Sequence, residues 1–343
     1  MNKIRILLVS SFGQAALGRS YDAAFRDLEC EVEIFDISAS INRYCRFGRL
    51  GRSFNRFVPV EPWIRKANRD LVLVTVRFRP DVLVIFGQST VRAGALAQIR
   101  SNVSSGIVLI WPDTLVNLSE ETIAALPLYD LVASYGREAI QPLQRLGACR
   151  VEWVPLAGDP HMHLIKSLSE SDRQKYGADI SFMGQWRPER EATMEVVLSE
   201  FKSQEIKIWG LDWGRRCQGK KDILKAWQGL PLYENDFAKA LAASRISLNI
   251  IDDTNFPAAN MRFFEIPMAG GVQVCSPCPE MEDEFKHSET VFYFKSLKEL
   301  PELIRTLLVN DSLCLKVAQL AHEKVLREHT YVHRAKRIME LLP

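Results

Sequence analysis

Residues 246–274, ISLNIIDDTNFPAANMRFFEIPMAGGVQV, place a helix-forming segment between two short apolar runs. The runs at 246–251 and 272–274 predict strands, and residues 260–271 between them predict a helix. The two glycines at the end of that helix let the backbone turn closely into the next strand, because glycine adopts conformations closed to other residues. A strand, a helix and a second strand in succession are typical of a parallel sheet.

The same alternation of apolar runs and amphipathic segments extends along nearly the whole chain. The predicted strands are 4–9, 31–35, 81–86, 107–111, 130–133, 151–154, 179–183, 206–209, 246–250, 272–274 and 290–293. This alternation predicts an α/β fold with parallel sheets covered by helices on both faces. Such sheets bind ligands beyond the carboxyl ends of their strands.

The alternation pauses at 155–178, PLAGDPHMHLIKSLSESDRQKYGA, which is rich in Pro, Gly, Ser and Asp. This composition is typical of an interdomain linker. The chain has 343 residues, which is enough for two domains with substantial cores. We therefore predict two doubly wound domains in tandem with a cleft between them, the first ending at residue 155.

Composition and charge exclude several classes of protein. The formal net charge of +2 gives no reason to expect a nucleic-acid partner. The seven cysteines are scattered and follow no signal peptide, which favours a reducing, cytoplasmic environment. No apolar run approaches the roughly 20 residues that a membrane span needs. We interpret Cys275-Ser-Pro-Cys278 as a chance CxxC in a loop, and His161, His163, His329 and His333 as structural.

Residues 179–191, DISFMGQWRPERE, join a predicted strand that ends at Gly184 to a helix that begins at Pro188. Arg187 and Arg190 flank the start of that helix. A helix amino terminus offers free N–H groups and partial positive charge, and arginines add charge-assisted donors. The combination suits a phosphate or diphosphate. The alternative is a solvent-exposed helix start with arginines there by chance.

Residues 260–271, NMRFFEIPMAGG, carry a second candidate site. Asn260 is a suitable helix cap. Arg262 lies near the positive end of the helix, where it is unfavourable unless an anion is close. Glu265 lies three positions further along on the same side. Arg262 would meet phosphate while Glu265 accepts hydrogen bonds from sugar or ribose hydroxyls; the alternative is an Arg–Glu pair on the surface.

Together with SRISLNI at 244–250 and REHTYVHRAKRI at 327–338, these stretches resemble the CgeB-like (spore-maturation type) GT-B glycosyltransferases. That bacterial group is related to the family-4, or group 1, retaining enzymes. The resemblance covers about residues 150–341. The N-terminal half is similar only in outline, through its opening strand and glycine loop, PDVLVIFG at 80–87 and WPD at 111–113.

The resemblance implies GT-B architecture, with two Rossmann-like domains that face a cleft. Residues 1–155 would form the acceptor-binding domain and residues 156–328 the domain that binds a nucleotide-sugar donor. Residues 329–343 would form a helix that crosses back to the first domain.

The resemblance also assigns roles to individual residues. In family-4 enzymes two residues after the first strand of the donor domain bind the diphosphate, and the resemblance aligns them with Gln185 and Arg190. Because Gln185 carries no charge, Arg187 would replace the missing cation. The family-4 signature consists of two glutamates separated by seven residues, and the second glutamate contacts the ribose. Glu265 matches that second glutamate, whereas the position of the first is occupied by Pro257. The expected donor-binding residues are Gly13, Gly184, Gln185, Arg187, Arg190, Asn260, Met261, Arg262 and Glu265.

In the predicted first domain, Gly13 follows the first strand and would let a backbone N–H approach the diphosphate. Asp113 ends the strand at 107–111, where a carboxylate would serve as a base toward an acceptor hydroxyl or bind it. The alternative is a turn aspartate, since Pro112-Asp113-Thr114 is favourable turn chemistry. Asp113 and Glu265 are the candidate catalytic residues.

The expected activity is that of a glycosyltransferase of the hexosyltransferase type, acting in glycan biosynthesis. It would move a sugar from a UDP- or GDP-sugar to a glycan, lipid-linked or protein acceptor. No metal or further cofactor is expected, and retention of the anomeric configuration is favoured. The alternatives are a GT-B nucleotide-sugar epimerase and a non-catalytic, degenerate GT-B protein that binds nucleotide-sugars.

Residues 43–57, RYCRFGRLGRSFNRF, repeat arginine at 43, 46, 49, 52 and 56 beside apolar side chains. As a helix this segment would present a basic face next to an aromatic one, which is typical of contact with an anionic membrane surface. Peripheral attachment at the inner face of the membrane would then accompany the cytoplasmic location. The alternatives are a basic loop that lines the acceptor cleft and a solvated surface.

Overall fold

The computed structural model describes residues 3–14, 16–45, 48, 51, 55, 59–87 and 89–342. The chain forms two compact units. The first comprises Met1–Pro155 and Tyr331–Pro343, and the second comprises Leu156–Thr330. Most of the segment 46–58 is not among the described residues, so most of the helix predicted over 43–57 lies outside them.

The described part of the first unit contains a parallel sheet in the order β2-β1-β3-β4-β5-β6. Its strands are β1 (Arg5–Ser10), β2 (Glu31–Asp36), β3 (Val82–Phe86), β4 (Gly106–Trp111), β5 (Leu131–Ser134) and β6 (Val151–Trp153). All five residues of β3 are buried, as expected for a central strand covered by helices on both faces.

Helices connect these strands and bury the sheet. They are α1 (Leu17–Asp27), α2 (Ile37–Tyr44), α3 (Glu61–Phe78), α4 (Ala93–Asn102), α5 (Glu120–Ala125) and α6 (Ile140–Arg145). Among the described residues, no helix of either unit combines the length and the hydropathy of a membrane span.

The second unit repeats the plan with a sheet in the order β11-β10-β9-β7-β8. Its strands are β7 (Ala178–Met183), β8 (Ile206–Trp209), β9 (Ser244–Asn249), β10 (Gln273–Cys275) and β11 (Phe292–Tyr293). Its helices are α7 (Pro160–His163), α8 (Glu170–Tyr176), α9 (Pro188–Glu200), α10 (Trp213–Arg216), α11 (Lys221–Ala226), α12 (Glu234–Ala243), α13 (Arg262–Met268), α14 (Leu300–Leu308) and α15 (Asp311–Glu328). The prediction of two Rossmann-like parallel-sheet domains is confirmed.

The strand order of the second sheet reverses at β7. From β7 the chain passes to β8 at the edge and then returns to β9 on the other side of β7. The connections that follow β7 and β9 therefore leave the sheet in opposite directions, one toward β8 and the other toward β10. In open α/β sheets a reversal of this kind opens a crevice at the carboxyl ends of the two central strands.

The last helix, α16 (Tyr331–Leu341), belongs to the first unit. The ring centroid of Tyr331 lies 5.2 Å from that of Tyr21 in α1. The guanidinium Nε of buried Arg334 donates to the carbonyl oxygen of Pro155 at 2.8 Å. These contacts fix the helix against the beginning and the end of the first Rossmann-like segment.

The prediction that 155–178 is a linker is wrong for most of its length. The two units separate between Pro155 and Leu156, but α7 and α8 occupy much of the remainder. Asp159 caps α7 by accepting from the backbone N–H groups of His161 and Met162. A capping box of Ser169 and Asp172 begins α8. The Pro, Ser and Asp content therefore reflects helix starts rather than a flexible connection.

The opening stretch forms the predicted strand, helix and strand. α13 begins at Arg262, and Asn260 caps it through a hydrogen bond from the N–H of Phe263 to Oδ1 at 3.1 Å. At its end Gly270 has a φ of +78°, which favours glycine. The N–H groups of Gly270 and Gly271 donate to the carbonyls of Pro267 and Ile266, as in a Schellman motif.

Candidate functional site

The loops that follow β7 and β9 meet at the strand-order reversal of the second sheet. Arg190, in the first turn of α9, donates from Nη2 to Oδ2 of Asp252 at 2.7 Å. Asp252 follows β9 by three residues, so this ion pair joins the two loops. Both side chains are buried, with 13% and 4% of their surfaces exposed. The pair therefore fixes a guanidinium at the place where ligands bind in folds of this kind.

Gly184 gives the guanidinium of Arg190 room beside the end of β7. A Cβ atom at residue 184 would lie 2.9 Å from the ring of Phe182 and 3.5 Å from Nη1 of Arg190. That Nη1 atom donates to the carbonyl oxygen of Gln185 at 2.9 Å. Arg190 is thus held by the backbone of the loop after β7 as well as by Asp252.

Other contacts fix the rest of the loop after β7. The backbone N–H of Trp186 donates to the carbonyl of Leu211 at 3.0 Å, and the indole N–H donates to Glu191. Glu191 also pairs with Lys220. Burial alone would raise the pKa of Glu191, but hydrogen bonds from Lys220 and Trp186 lower it overall. The start of α9 is therefore built on a second charged cluster that the sequence pattern did not reveal.

Gln185 and Arg187 lie on the exposed side of this loop. The amide Nε2 of Gln185 donates to Oδ2 of Asp212, after β8, at 2.9 Å. Arg187 is the residue immediately before α9, and its backbone is extended. The structure therefore brings the predicted diphosphate residues, Gly184 to Arg190, to one edge of the sheet.

Asp252 was not predicted as a site residue, although it comes directly after the apolar run 246–251. Its Oδ1 atom accepts from the hydroxyl of Thr254 at 2.6 Å and from the side-chain amide of Asn255 at 2.8 Å. Burial alone would raise the pKa of Asp252, but these hydrogen bonds and the charge of Arg190 hold it below its usual range. Asp252 is therefore the fixed counter-ion of Arg190.

Arg262 and Glu265 form the predicted pair on one side of α13. Nη1 of Arg262 donates to Oε2 of Glu265 at 2.9 Å, and Nε donates to the carbonyl of Met183, the last residue of β7, at 3.2 Å. The guanidinium carbon lies 4.9 Å from the ring centroid of Phe237. The Arg–Glu pair of the alternative interpretation therefore forms, but its carboxylate is buried rather than on the surface.

His163, which we interpreted as structural, approaches Glu265 from α7. Its Nε2 atom lies 3.9 Å from Oε1 of Glu265, which is the carboxylate oxygen that Arg262 does not contact. The imidazole is buried and packs edge-on against the ring of Phe237, with the ring centroids 5.5 Å apart. The carboxylate thus lies between a guanidinium and an imidazole.

Three arginines concentrate positive charge around the reversal point. Burial lowers the pKa of Arg190; the carboxylate of Asp252 opposes this effect, and the charges of Arg262 and Arg187 add to it. Arg262 and Arg187 therefore each repel Arg190. An anion placed among them would relieve that repulsion.

Asn260 and Met261 are also at this edge, in structural roles. The amide Nδ2 of Asn260 donates to Oδ1 of Asn249, the last residue of β9, at 2.8 Å, while its Oδ1 caps α13. Both polar atoms of the side chain therefore attach α13 to β9. Met261 is half-buried, and its carbonyl accepts from the N–H groups of Phe264 and Glu265.

Gly13 and Asp113 belong to the first unit. Gly13 is exposed after β1, and a Cβ atom there would meet nothing within 4 Å. Asp113 accepts from the N–H of Thr114 at 2.7 Å and from the side-chain amide of Asn117 at 3.0 Å. This is the hydrogen bonding of a turn aspartate, and the catalytic role of Asp113 stays a prediction.

The CxxC pair, Cys275 and Cys278, is buried and not disulfide-bonded. Burial raises the pKa of Cys275 well above the usual range and that of Cys278 to about 12. Thiols in such surroundings are poor nucleophiles. Over the described ranges, no three His, Cys, Asp or Glu side chains form a group that could hold a metal ion.

Comparisons with known proteins agree with this geometry. Residues 188–340 match the model of a family described as glycosyl transferase-like. A comparison with curated protein sequences gave no significant match. A solved sucrose-phosphate synthase from Thermosynechococcus elongatus superposes with a TM-score of 0.69 at 13% identity, covering 99% of this chain and 98% of the other.

Two further solved structures share the fold. Anabaena HepE in complex with UDP-glucose has a TM-score of 0.65 at 12% identity and covers 98% of each chain. A putative UDP-N-acetylglucosamine 2-epimerase from Listeria monocytogenes has a TM-score of 0.57 at 14% identity, over 99% of this chain and 95% of the other. The chain has the GT-B fold, as predicted, while the CgeB-like subtype stays a prediction.

Proposed function

We propose that this protein is a glycosyltransferase that takes a sugar from a nucleotide-sugar donor bound by its second unit. One observation carries the proposal. The arginine cluster at the reversal of the second sheet lies beside Glu265 and falls on the residues where the family resemblance expects the donor. The match of residues 188–340 to the glycosyl transferase-like family supports the same assignment.

The site has the groups that transfer from a nucleotide-sugar needs. Negative charge develops on the diphosphate as it leaves the sugar, and preorganised cations stabilise that charge. Arg190, Arg187 and the amino terminus of α9 would bind the diphosphate. Glu265 would accept hydrogen bonds from ribose hydroxyls. No metal is required in this scheme, since the cations are supplied by the protein.

The finer features of the reaction are part of the proposal. UDP-sugars are favoured over GDP-sugars because HepE, which has the same fold, was solved with UDP-glucose. In the first unit, Gly13 would approach a diphosphate through its backbone N–H, and Asp113 would bind the acceptor or act as a base toward it. The CgeB-like resemblance favours transfer of a hexose with retention of configuration.

Membrane contact is a separate part of the proposal. Residues 43–57 contain five arginines and no acidic residue, while the whole chain has a net charge of only +2. A basic segment of this kind would be attracted to anionic lipid by about 1 kcal/mol per charge.

The membrane proposal predicts selective binding to anionic vesicles. The protein should sediment with phosphatidylglycerol vesicles at low salt and be released as salt is raised, because screening weakens the attraction. Phosphatidylcholine vesicles are the control. Equal binding to both lipids, or binding to neither, would contradict a membrane role for this segment.

A nucleotide-sugar epimerase is the second candidate function, and the structural similarity to the Listeria protein is the observation that favours it. An epimerase would act on the donor without an acceptor. The third candidate is a degenerate protein that binds nucleotide-sugars without turnover. It is favoured by Pro257, which stands where the first glutamate of the family-4 signature is expected.

The assay that tests the proposal measures nucleoside diphosphate release from a panel of UDP- and GDP-sugars. We expect one donor to give release that rises with a pool of glycan, lipid-linked or peptide acceptors. Donor isomerisation without any acceptor would establish the epimerase instead. Binding without release or isomerisation, in every acceptor pool, would indicate the non-catalytic protein.

A further inference from the structure

We infer that Arg262 is a specificity-determining residue that makes recognition of the ribose depend on the presence of a diphosphate. The inference rests on the proposed function, because it takes Glu265 as the acceptor for ribose hydroxyls. In the structure the guanidinium of Arg262 covers that carboxylate, with Nη1 at 2.9 Å from Oε2. A diphosphate would attract the guanidinium and leave the carboxylate to the ribose.

The two partners of this ion pair differ in burial. Glu265 has 5% of its side-chain surface exposed and Arg262 has 34%. The carboxylate is therefore enclosed, and the guanidinium is the part of the pair that reaches solvent.

The position of Arg262 places it within the influence of the diphosphate residues. Its Nε atom donates to the carbonyl of Met183, directly before the loop that carries Arg190. Its charge also lowers the pKa of Arg190, so the two guanidiniums repel each other. A diphosphate bound by Arg190 would turn that repulsion into a shared attraction and draw Arg262 toward the phosphate oxygens.

The carboxylate becomes a stronger acceptor when Arg262 leaves it. An ion-paired carboxylate has part of its charge neutralised, whereas an uncompensated one gains more from hydroxyl donors. His163 faces the other oxygen of Glu265 at 3.9 Å and stays in place against Phe237. The carboxylate thus keeps one neighbour while the ribose replaces the other.

Positive coupling between the two halves of the nucleotide follows from this exchange. Coupling between two ligands is reciprocal, so it can be measured with the halves as separate molecules. Inorganic pyrophosphate should strengthen the binding of uridine, although the two would otherwise bind independently. If GDP is the diphosphate that binds, guanosine replaces uridine as the probe.

The test is a calorimetric titration of the full chain with uridine, with and without saturating pyrophosphate. We expect pyrophosphate to tighten uridine binding about fivefold, within the usual range of coupling between sites. Arg262→Gln should remove the coupling and bind uridine more tightly than the wild-type protein does without pyrophosphate. Arg305→Gln is the matched control, since Arg305 pairs with Glu302 at the same i,i+3 spacing in α14.

The outcomes separate this inference from the proposed function. If the wild-type protein binds UDP but pyrophosphate leaves uridine affinity unchanged or weaker, the inference is wrong and the donor site stands. If no nucleoside diphosphate binds, the proposed function fails and the inference fails with it. The wild-type titration decides the matter even if Arg262→Gln does not fold, and coupling retained in a folded Arg262→Gln protein would also overturn the inference.

Discussion

Replacing Arg190 with glutamine should weaken the binding of a nucleoside diphosphate by about 100-fold, the loss of one to two charge-assisted hydrogen bonds. Arg190 is the most enclosed cation of the cluster, held by Asp252 and by the carbonyl of Gln185. Burial makes its hydrogen bonds to an anion stronger than those of a solvated arginine. Isothermal titration with UDP and GDP measures the loss.

The substitution needs two controls because it leaves Asp252 buried without its counter-ion, which costs stability. Arg190→Gln combined with Asp252→Asn removes the uncompensated charge and should recover the melting temperature without recovering nucleotide affinity. Arg245→Gln removes an arginine that pairs with Asp311 at 2.8 Å and lies at the amino end of β9, away from the site. Full nucleotide affinity in folded Arg190→Gln would show that the diphosphate binds elsewhere.

Replacing Glu265 with glutamine should weaken UDP binding by about 30-fold, as expected for loss of hydrogen bonds to a charged acceptor. The amide keeps the volume of the side chain, so packing beneath α13 should be preserved. The loss of affinity should come only from the hydrogen bonds that the ribose hydroxyls make. The wild-type protein should bind deoxy analogues of UDP more weakly than UDP, whereas Glu265→Gln should bind UDP and those analogues with similar affinity.

The matched control for this prediction is Glu302→Gln, which removes the glutamate of an exposed i,i+3 pair in the same unit. Titration of UDP, 2′-deoxy-UDP and 3′-deoxy-UDP against both variants gives the comparison. If Glu265→Gln still discriminates between UDP and the deoxy analogues as the wild-type protein does, Glu265 does not contact the ribose.

Much of the fold could be predicted from the sequence because parallel strands are buried on both faces. Their apolar runs, such as 82–86, are short, continuous and bounded by turn residues, so their positions carry a clear local signal. The helix in 260–271 was also predicted, since its cap at Asn260 and its final glycines act within a few residues of sequence.

The candidate site was only partly predictable because its charges are paired through tertiary contacts. Arg190 and Asp252 are 62 residues apart in the chain, and only the strand order places them side by side. The approach of His163 to Glu265 likewise depends on α7 lying beside α13. The segment 155–178 was wrongly predicted as a linker because residues that cap helices are also typical of linkers.

The central claim is that the second unit binds the donor at the reversal of its sheet, and one titration tests it directly. UDP, GDP, ADP, CMP and dTDP are titrated into the wild-type protein, Arg190→Gln and Arg245→Gln, with the fold of each checked by circular dichroism. We predict that one diphosphate binds the wild-type protein and Arg245→Gln alike, and binds Arg190→Gln about 100-fold more weakly. Failure of all five to bind a folded wild-type protein, or equal binding by all three proteins, would contradict the account.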